Sequence, residues 1–226
     1  GDALDLAAIT DALVDRRMGR SPDERLYERT QSNRRALAIA VLVDVSGSTS
    51  NQLEDGARII DLEKQALLMA HDALEAVGDP YAMFAFASLG AHDVQVKSLK
   101  GFDERGIVTR PRIHALQPDQ NTRLGAAVRH VSRVLAPQPA TSQLLLILSD
   151  GRPSDVQYHE EYAVADTRRA VLDARNQGTT VFGLAIDFED HVYLAEIFGV
   201  SGYVYVRDPH ALGRQLVRSI ASMLHS

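Results

Sequence analysis

The sequence predicts an α/β protein: a doubly wound, mainly parallel sheet with helices on both faces and one antiparallel edge strand. Three observations carry this. Two almost uninterrupted apolar runs, ALAIAVLV from Ala36 and QLLLILS over Gln143–Ser149, each lead straight into an aspartate, Asp44 and Asp150. Such runs are strands covered on both faces, as parallel strands are. Strand-like and helix-like segments also alternate, in the order β-α-β-β-α-β-α-β-α-β-α, which calls for crossover helices on a parallel sheet. The one β-β step, YAMFAFAS (81–88) then HDVQVKSL (92–99) across a short turn with Gly90, reads as a hairpin and supplies the antiparallel edge.

Residues 1–35 are polar, with Leu4, Ala7, Ala8, Leu13 and Val14 striping a short helix before an arginine-rich stretch broken by Gly19 and Ser21-Pro22. They read as an N-terminal helical or linker segment, ahead of a domain over 36–226. The opening GDALDLAAITDALVDRRMGR lacks a basic region followed by an apolar one, so no signal peptide is expected. Without an initiating Met, the sequence reads as a processed form or a piece of something longer.

After the first strand comes a Gly/Ser/Thr/Asn loop. Residues 59–77 place Ile60, Leu67, Ala70 and Leu74 at helical spacing and stop at Gly78-Asp79-Pro80. Residues 101–121 are loop-like, with one helical turn near Arg112–Leu116. A helix is predicted over 122–136. Past Asp150, the polar residues Asp155, His159, Glu160 and Glu161 read as a solvated loop, with a rim that shapes partner choice as the alternative. A helix over 166–177 ends on Gly178. TTVFGLAID (179–187) is a strand, HVYLAEIFG a short helix, GYVYV (202–206) a strand and ALGRQLVRSIASML a closing amphipathic helix. Phe84, Phe86, Phe182 and Phe188 read as core.

Composition excludes several functions. The 226 residues are 45% hydrophobic, which suits one folded domain. With 24 basic and 30 acidic residues the net charge is −6, and no basic run supports nucleic-acid binding. No cysteine is present, so disulfides, thiolate nucleophiles and Cys-type zinc sites are out. No apolar run approaches the ~18–20 residues of a membrane span. The histidines are scattered singly, without paired-ligand spacing. Neither Gly-x-Ser-x-Gly nor Gly-x-Gly-x-x-Gly occurs, so a hydrolase nucleophile and a dinucleotide site are unsupported.

Chemistry is expected at the carboxyl ends of the strands, near the switch in strand order. Asp44-Val45-Ser46-Gly47-Ser48 follows the first strand, Thr122 precedes a helix, and Asp150 ends the second apolar strand. Two carboxylates and three hydroxyls are hard donors that suit Mg²⁺, Mn²⁺ or Ca²⁺ and not Zn²⁺ or Cu²⁺. Taken singly, the serines, Thr122 or Asn121 would pass as helix caps. A rival reading makes Asp44 the nucleophile of a Mg²⁺-dependent aspartyl phosphotransfer domain. Its Ser, Gly, Ser and Thr neighbours favour coordination instead.

This set resembles the metal-ion-dependent adhesion site of von Willebrand factor type A domains: Asp-x-Ser-x-Ser, a distant Thr and a distant Asp. The resemblance covers Ala36 to Met223 and implies a Rossmann-like fold and a Mg²⁺ site of Asp44, Ser46, Ser48, Thr122 and Asp150. It implies that Ser46, Ser48 and, in the engaged state, Thr122 bind the ion directly. Asp44 and Asp150 act largely through water, and a partner's Glu or Asp takes an open position. Phe102-Asp103-Glu104, Asn121 to Ala127, Ser149 to Asp155, Asp166-Thr167-Arg168 and Ile197-Phe198-Gly199 are further similar to the C-terminal domains of CbbO/NorD-type activation proteins. That likeness implies a non-catalytic, cytoplasmic adaptor of a MoxR-type AAA+ ATPase hexamer on a separate chain. The target is Rubisco on the CbbO branch and nitric oxide reductase on the NorD branch, and a stand-alone adhesion module is the alternative.

Overall fold

The computed structural model describes residues 37–186 and 192–224. The segment expected over 1–35, Phe188 and His191 lie outside the described residues. Among the described residues, the strands are β1 (Leu37–Asp44), β2 (Tyr81–Ser88), β3 (Val94–Lys100), β4 (Ser142–Ser149), β5 (Thr179–Ala185) and β6 (Tyr203–Tyr205). They form one sheet in the order β3-β2-β1-β4-β5-β6. All neighbours are parallel except β2 and β3, so the hairpin strand is the antiparallel edge, as expected. The helices are α1 (Ile59–Val77), α2 (Thr109–His114), α3 (Leu124–Leu135), α4 (Glu160–Asn176), α5 (Val192–Phe198) and α6 (Leu212–Leu224).

Strand alternation builds two cores. Ile39, Val41 and Val43 of β1 share one with Ile59, Ile60 and Leu67 of α1 and with Leu212, Leu216 and Ile220 of α6. Ala38, Ala40 and Leu42 face the other way, towards Leu124, Val128 and Val131 of α3, Val164 and Val171 of α4, and Leu194 and Ile197 of α5. Every residue of β1 and β2 is buried. That two-sided burial is why the sequence shows unbroken apolar runs there. Phe84 and Phe86 belong to the second of these cores, and half-buried Phe182 packs on the margin of the first. α1 stops where expected, at Gly78, whose φ of 79° allows its N–H to close on the Leu74 carbonyl at 3.0 Å.

Three boundaries differ from the sequence reading. α3 begins at Leu124, because Thr122 is extended and donates its N–H to the Ser154 carbonyl at 2.8 Å. α4 begins at Glu160 and not at Asp166. Its first turn carries Glu160 and Glu161, which suit the positive end of a helix but show no apolar period. α2 spans Thr109–His114, earlier than the turn expected near Arg112–Leu116.

Packing between α3 and α4 turns on Gly125. Asp166 of α4 pairs with Arg129 of α3 at 2.5 Å and accepts from the Tyr158 hydroxyl at 2.7 Å. A Cβ on Gly125 would overlap the Asp166 carboxylate and stand 2.9 Å from the Tyr158 hydroxyl. In a helix with open space, Gly→Ala stabilises by about 1 kcal/mol. Here Gly125→Ala is expected to destabilise by about 1–3 kcal/mol through overpacking. Urea unfolding checks this: the midpoint should fall at unchanged slope, and a raised midpoint would show that the contact is not tight.

Candidate functional site

β1 and β4 are parallel neighbours, so their carboxyl ends leave the sheet at the same edge. From there the chain diverges, β1 through α1 to β2 on one side and β4 through α4 to β5 on the other. This is the switch point, where the departing loops leave room for a ligand.

Asp44 ends β1 and shapes the next turn. Its Oδ1 accepts the Ser46 N–H at 2.9 Å, and the Thr49 hydroxyl donates to the Ser46 carbonyl at 2.7 Å. A short 3₁₀ turn, Gly47–Ser50, follows. It brings the Ser46 and Ser48 hydroxyls to 3.0 Å of each other, and Ser48 Oγ donates to Asp150 Oδ1 at 3.0 Å. Gly47 stands between the serines because the neighbouring loop passes close. Its N–H donates to the Gln120 carbonyl at 2.8 Å, and a Cβ would sit 3.1 Å from that oxygen.

The loop before α3 brings the Thr122 hydroxyl near enough to the Asp44 carboxylate to favour its charged form. Asn121 exchanges two backbone hydrogen bonds of 2.9 Å with Ser88 at the end of β2. Asp44, Ser46, Ser48, Thr122 and Asp150 are therefore brought together. Neither Thr122 nor Asn121 caps α3; Arg123 holds that position without a side-chain bond.

Asp44 is only 1% exposed, and burial pushes its carboxyl up to about 6, against the hydrogen bonds from Ser46, Thr122 and Ser149. The donors fit a hard divalent cation. The Ser46 and Ser48 hydroxyls and Asp150 are linked by hydrogen bonds beside Asp44, and no three His, Cys, Asp or Glu among the described residues converge as a metal cluster. Direct ligation would fall to the hydroxyls, with the carboxylates holding them in place. A cleft of about 1070 Å³ opens beside Ser48 and Asp150, with Arg152, Arg207, Asp55 and His210 on its walls. His210 pairs with Asp55 at 2.9 Å.

Asp155 corrects the reading of its loop as solvated. It is 2% exposed and accepts from Arg123 Nε at 2.9 Å, the Gly90 N–H at 2.8 Å and the Val156 N–H at 2.7 Å. Burial raises its pKa, and these bonds more than reverse that, leaving its carboxyl below the ordinary carboxylate value. Arg123 also lies over the Tyr158 ring, 4.3 Å from its centre. Asp155 thus ties the Thr122 loop to the Asp150 loop. His159, Glu160 and Glu161 are exposed, as expected. Sequence reasoning missed Arg123, and also Ser149, whose hydroxyl donates to Asp44 Oδ2 at 3.3 Å. Their signal was adjacency: each directly follows or precedes a predicted site residue. Of the histidines, His71 is buried against the Tyr81 hydroxyl at 2.6 Å, while His92, His114, His130 and His210 are exposed.

Comparison with known proteins agrees with this fold. The uncharacterized protein PA0525 of Pseudomonas aeruginosa is 42% identical over 96% of the chain and 36% of its own length. Protein NorD of Stutzerimonas stutzeri is 40% identical over 92% of the chain and 34% of its own length. The chain thus spans about a third of the curated relatives it matches. Among solved structures, a von Willebrand factor type A protein from Catenulispora acidiphila superposes with a TM-score of 0.60 at 18% identity, over 83% of this chain and 42% of the other, a likeness of fold alone. Residues 38–217 match the von Willebrand factor type A domain, and the chain belongs to that family.

Proposed function

We propose that this domain recognises a target protein through a divalent cation, Mg²⁺ first and Mn²⁺ or Ca²⁺ as substitutes. The observation that carries this is the unbroken chain of hydrogen bonds Ser46–Ser48–Asp150 at the switch point. Ser46, Ser48 and Thr122 would hold the ion through their hydroxyls. Asp44 and Asp150 would act through water and fix the hydroxyls in place. When bound, the ion supplies a hard Lewis-acidic position for an acidic side chain of the target. Arg152 and Arg207 line the adjoining cleft together with Glu54 and Asp55, so the ion itself would have to attract an acidic side chain to a chain that carries −6 overall. Asp44 is too deeply buried to offer itself as a phosphoryl acceptor, so coordination is preferred to phosphotransfer.

The NorD relatives favour the NorD branch of the resemblance, with nitric oxide reductase as the target and not Rubisco. In this reading the domain is the non-catalytic recognition part of a longer adaptor. The remainder of that adaptor engages a MoxR-type AAA+ ATPase on another chain, in the cytoplasm where ATP is available. No helix among the described residues is long and apolar enough to cross a membrane.

Three outcomes are expected. Capture of nitric oxide reductase by the full-length protein should be lost in EDTA and restored by Mg²⁺ or Mn²⁺, while salt only weakens it. Capture that survives chelation would refute the mechanism. Asp44→Ala should abolish capture yet unfold cooperatively at the wild-type temperature or above, since it removes a buried carboxylate from beside another. Global unfolding of the purified variant would make Asp44 structural. Asp155→Ala should behave oppositely, losing of the order of 3 kcal/mol of stability by stranding Arg123. Thermal unfolding of the two variants side by side separates these roles.

A further inference from the structure

Glu63 interrupts the apolar face of α1. Ile59, Ile60, Ala66, Leu67, Ala70 and Leu74 form the buried stripe of that helix, and Glu63 falls within it at helical spacing. It is 1% exposed, and both carboxylate oxygens are buried without a hydrogen-bond partner. Other buried ionisable groups are differently placed. Asp155 has Arg123, and Lys100 donates to the carbonyls of Tyr81 at 3.0 Å and Gly101 at 3.3 Å. The charges that act on Glu63 are those of Asp150 and Asp44, and both repel it. A buried carboxylate with neither bond nor counter-charge is costly, and two like charges beside it add to the cost. An apolar residue would complete the stripe without either penalty. A cation held near Asp44 and Asp150 would relieve this repulsion.

We propose that Glu63 is a third acidic group of the metal centre, reaching the ion through a water from the α1 side while Asp44 and Asp150 approach from the strand ends. This rests on the reading above that the site takes a divalent cation. The route is through water because the three carboxylates do not converge as direct ligands. A bridging water would also supply the hydrogen bonds that Glu63 lacks. The two aspartates alone cancel a divalent charge. A charged Glu63 on α1 would strengthen the hold on the ion.

The test is calorimetric titration of the 226-residue chain with Mn²⁺ and with Mg²⁺, for wild type, Glu63→Gln, Glu63→Met and Ser46→Ala. Glu63→Gln keeps shape and removes charge; Glu63→Met keeps volume without polar atoms and serves should the amide fail to fold. Either variant should remain folded and weaken metal binding about tenfold or more, as loss of an outer partner of a metal centre does. The rise in melting temperature on adding Mn²⁺ should shrink in parallel. A merely structural Glu63 would change the metal-free melting temperature and leave the affinity alone. Wild-type affinity in both Glu63 variants, with binding lost in Ser46→Ala, overturns this inference alone. No metal binding by the wild-type chain overturns both readings.

Discussion

β1 and β4 pair in parallel from Leu37–Ser142 to Val43–Leu148, so two buried strands deliver two carboxylates, Asp44 and Asp150, to one point at the sheet's edge. Neither strand can slip. Moving β1 by one residue would exchange Ile39, Val41 and Val43 for the smaller set Ala38, Ala40 and Leu42 between the two cores. The register that packs the cores therefore also fixes how far each aspartate projects. Stability and site geometry are set by the same pairing.

The loops above that edge hold one another. Val45 accepts from Asp119, Gly47 donates to Gln120, Asn121 pairs with Ser88, and Thr122 pairs with Ser154. Asp155 and Arg123 close the circuit from inside. Three loops from different strands are thus cross-braced through backbone groups, which leaves the hydroxyls of Ser46, Ser48 and Thr122 to the site. This rigidity has an electrostatic counterpart. Asp44 and Glu63 are buried and both are pushed towards protonation, chiefly by burial. An arrangement chosen for stability alone would not gather such groups, and strain of this kind marks places where function has been favoured over packing.

Much of the fold was legible because two-sided burial writes itself as apolar runs and one-sided burial as a period. β1, β2 and β4 show the first, and α1, ending at Gly78, shows the second. Less was legible where the backbone turns without the usual residues. Gln120, Gln157 and Glu160 have φ of 53°, 55° and 48°, with no glycine or asparagine at those positions to signal the turn. The chain thus enters α4 through an unmarked corner, and its polar first turn looks like loop. Asp155 was misread for a related reason: a buried ion pair has the composition of a surface, and only its partner Arg123, distant in sequence, shows otherwise. Glu63 was hidden by its neighbours, since one carboxylate within an apolar stripe scarcely alters the period.

The sign of the surface charge completes the argument. A chain of net charge −6 repels an acidic partner at long range, yet beyond about 8 Å that repulsion is screened at physiological salt. At the rim of the cleft Arg152 and Arg207 stand among Glu54 and Asp55, so the two signs are mixed there. What matters in contact is the centre, where Asp44 and Asp150 would neutralise an ion without surrounding it. Asp44 and Asp150 balance a divalent charge at the strand ends, and the hydroxyls add coordination without adding charge, so even with Glu63 acting through water the ion would keep a position open to one more oxygen anion. Replacing the hydroxyls with carboxylates would bind the ion more tightly and remove that capacity. In the proposed role, serine and threonine at 46, 48 and 122 would leave the ion open to a partner, where further carboxylates would merely store it.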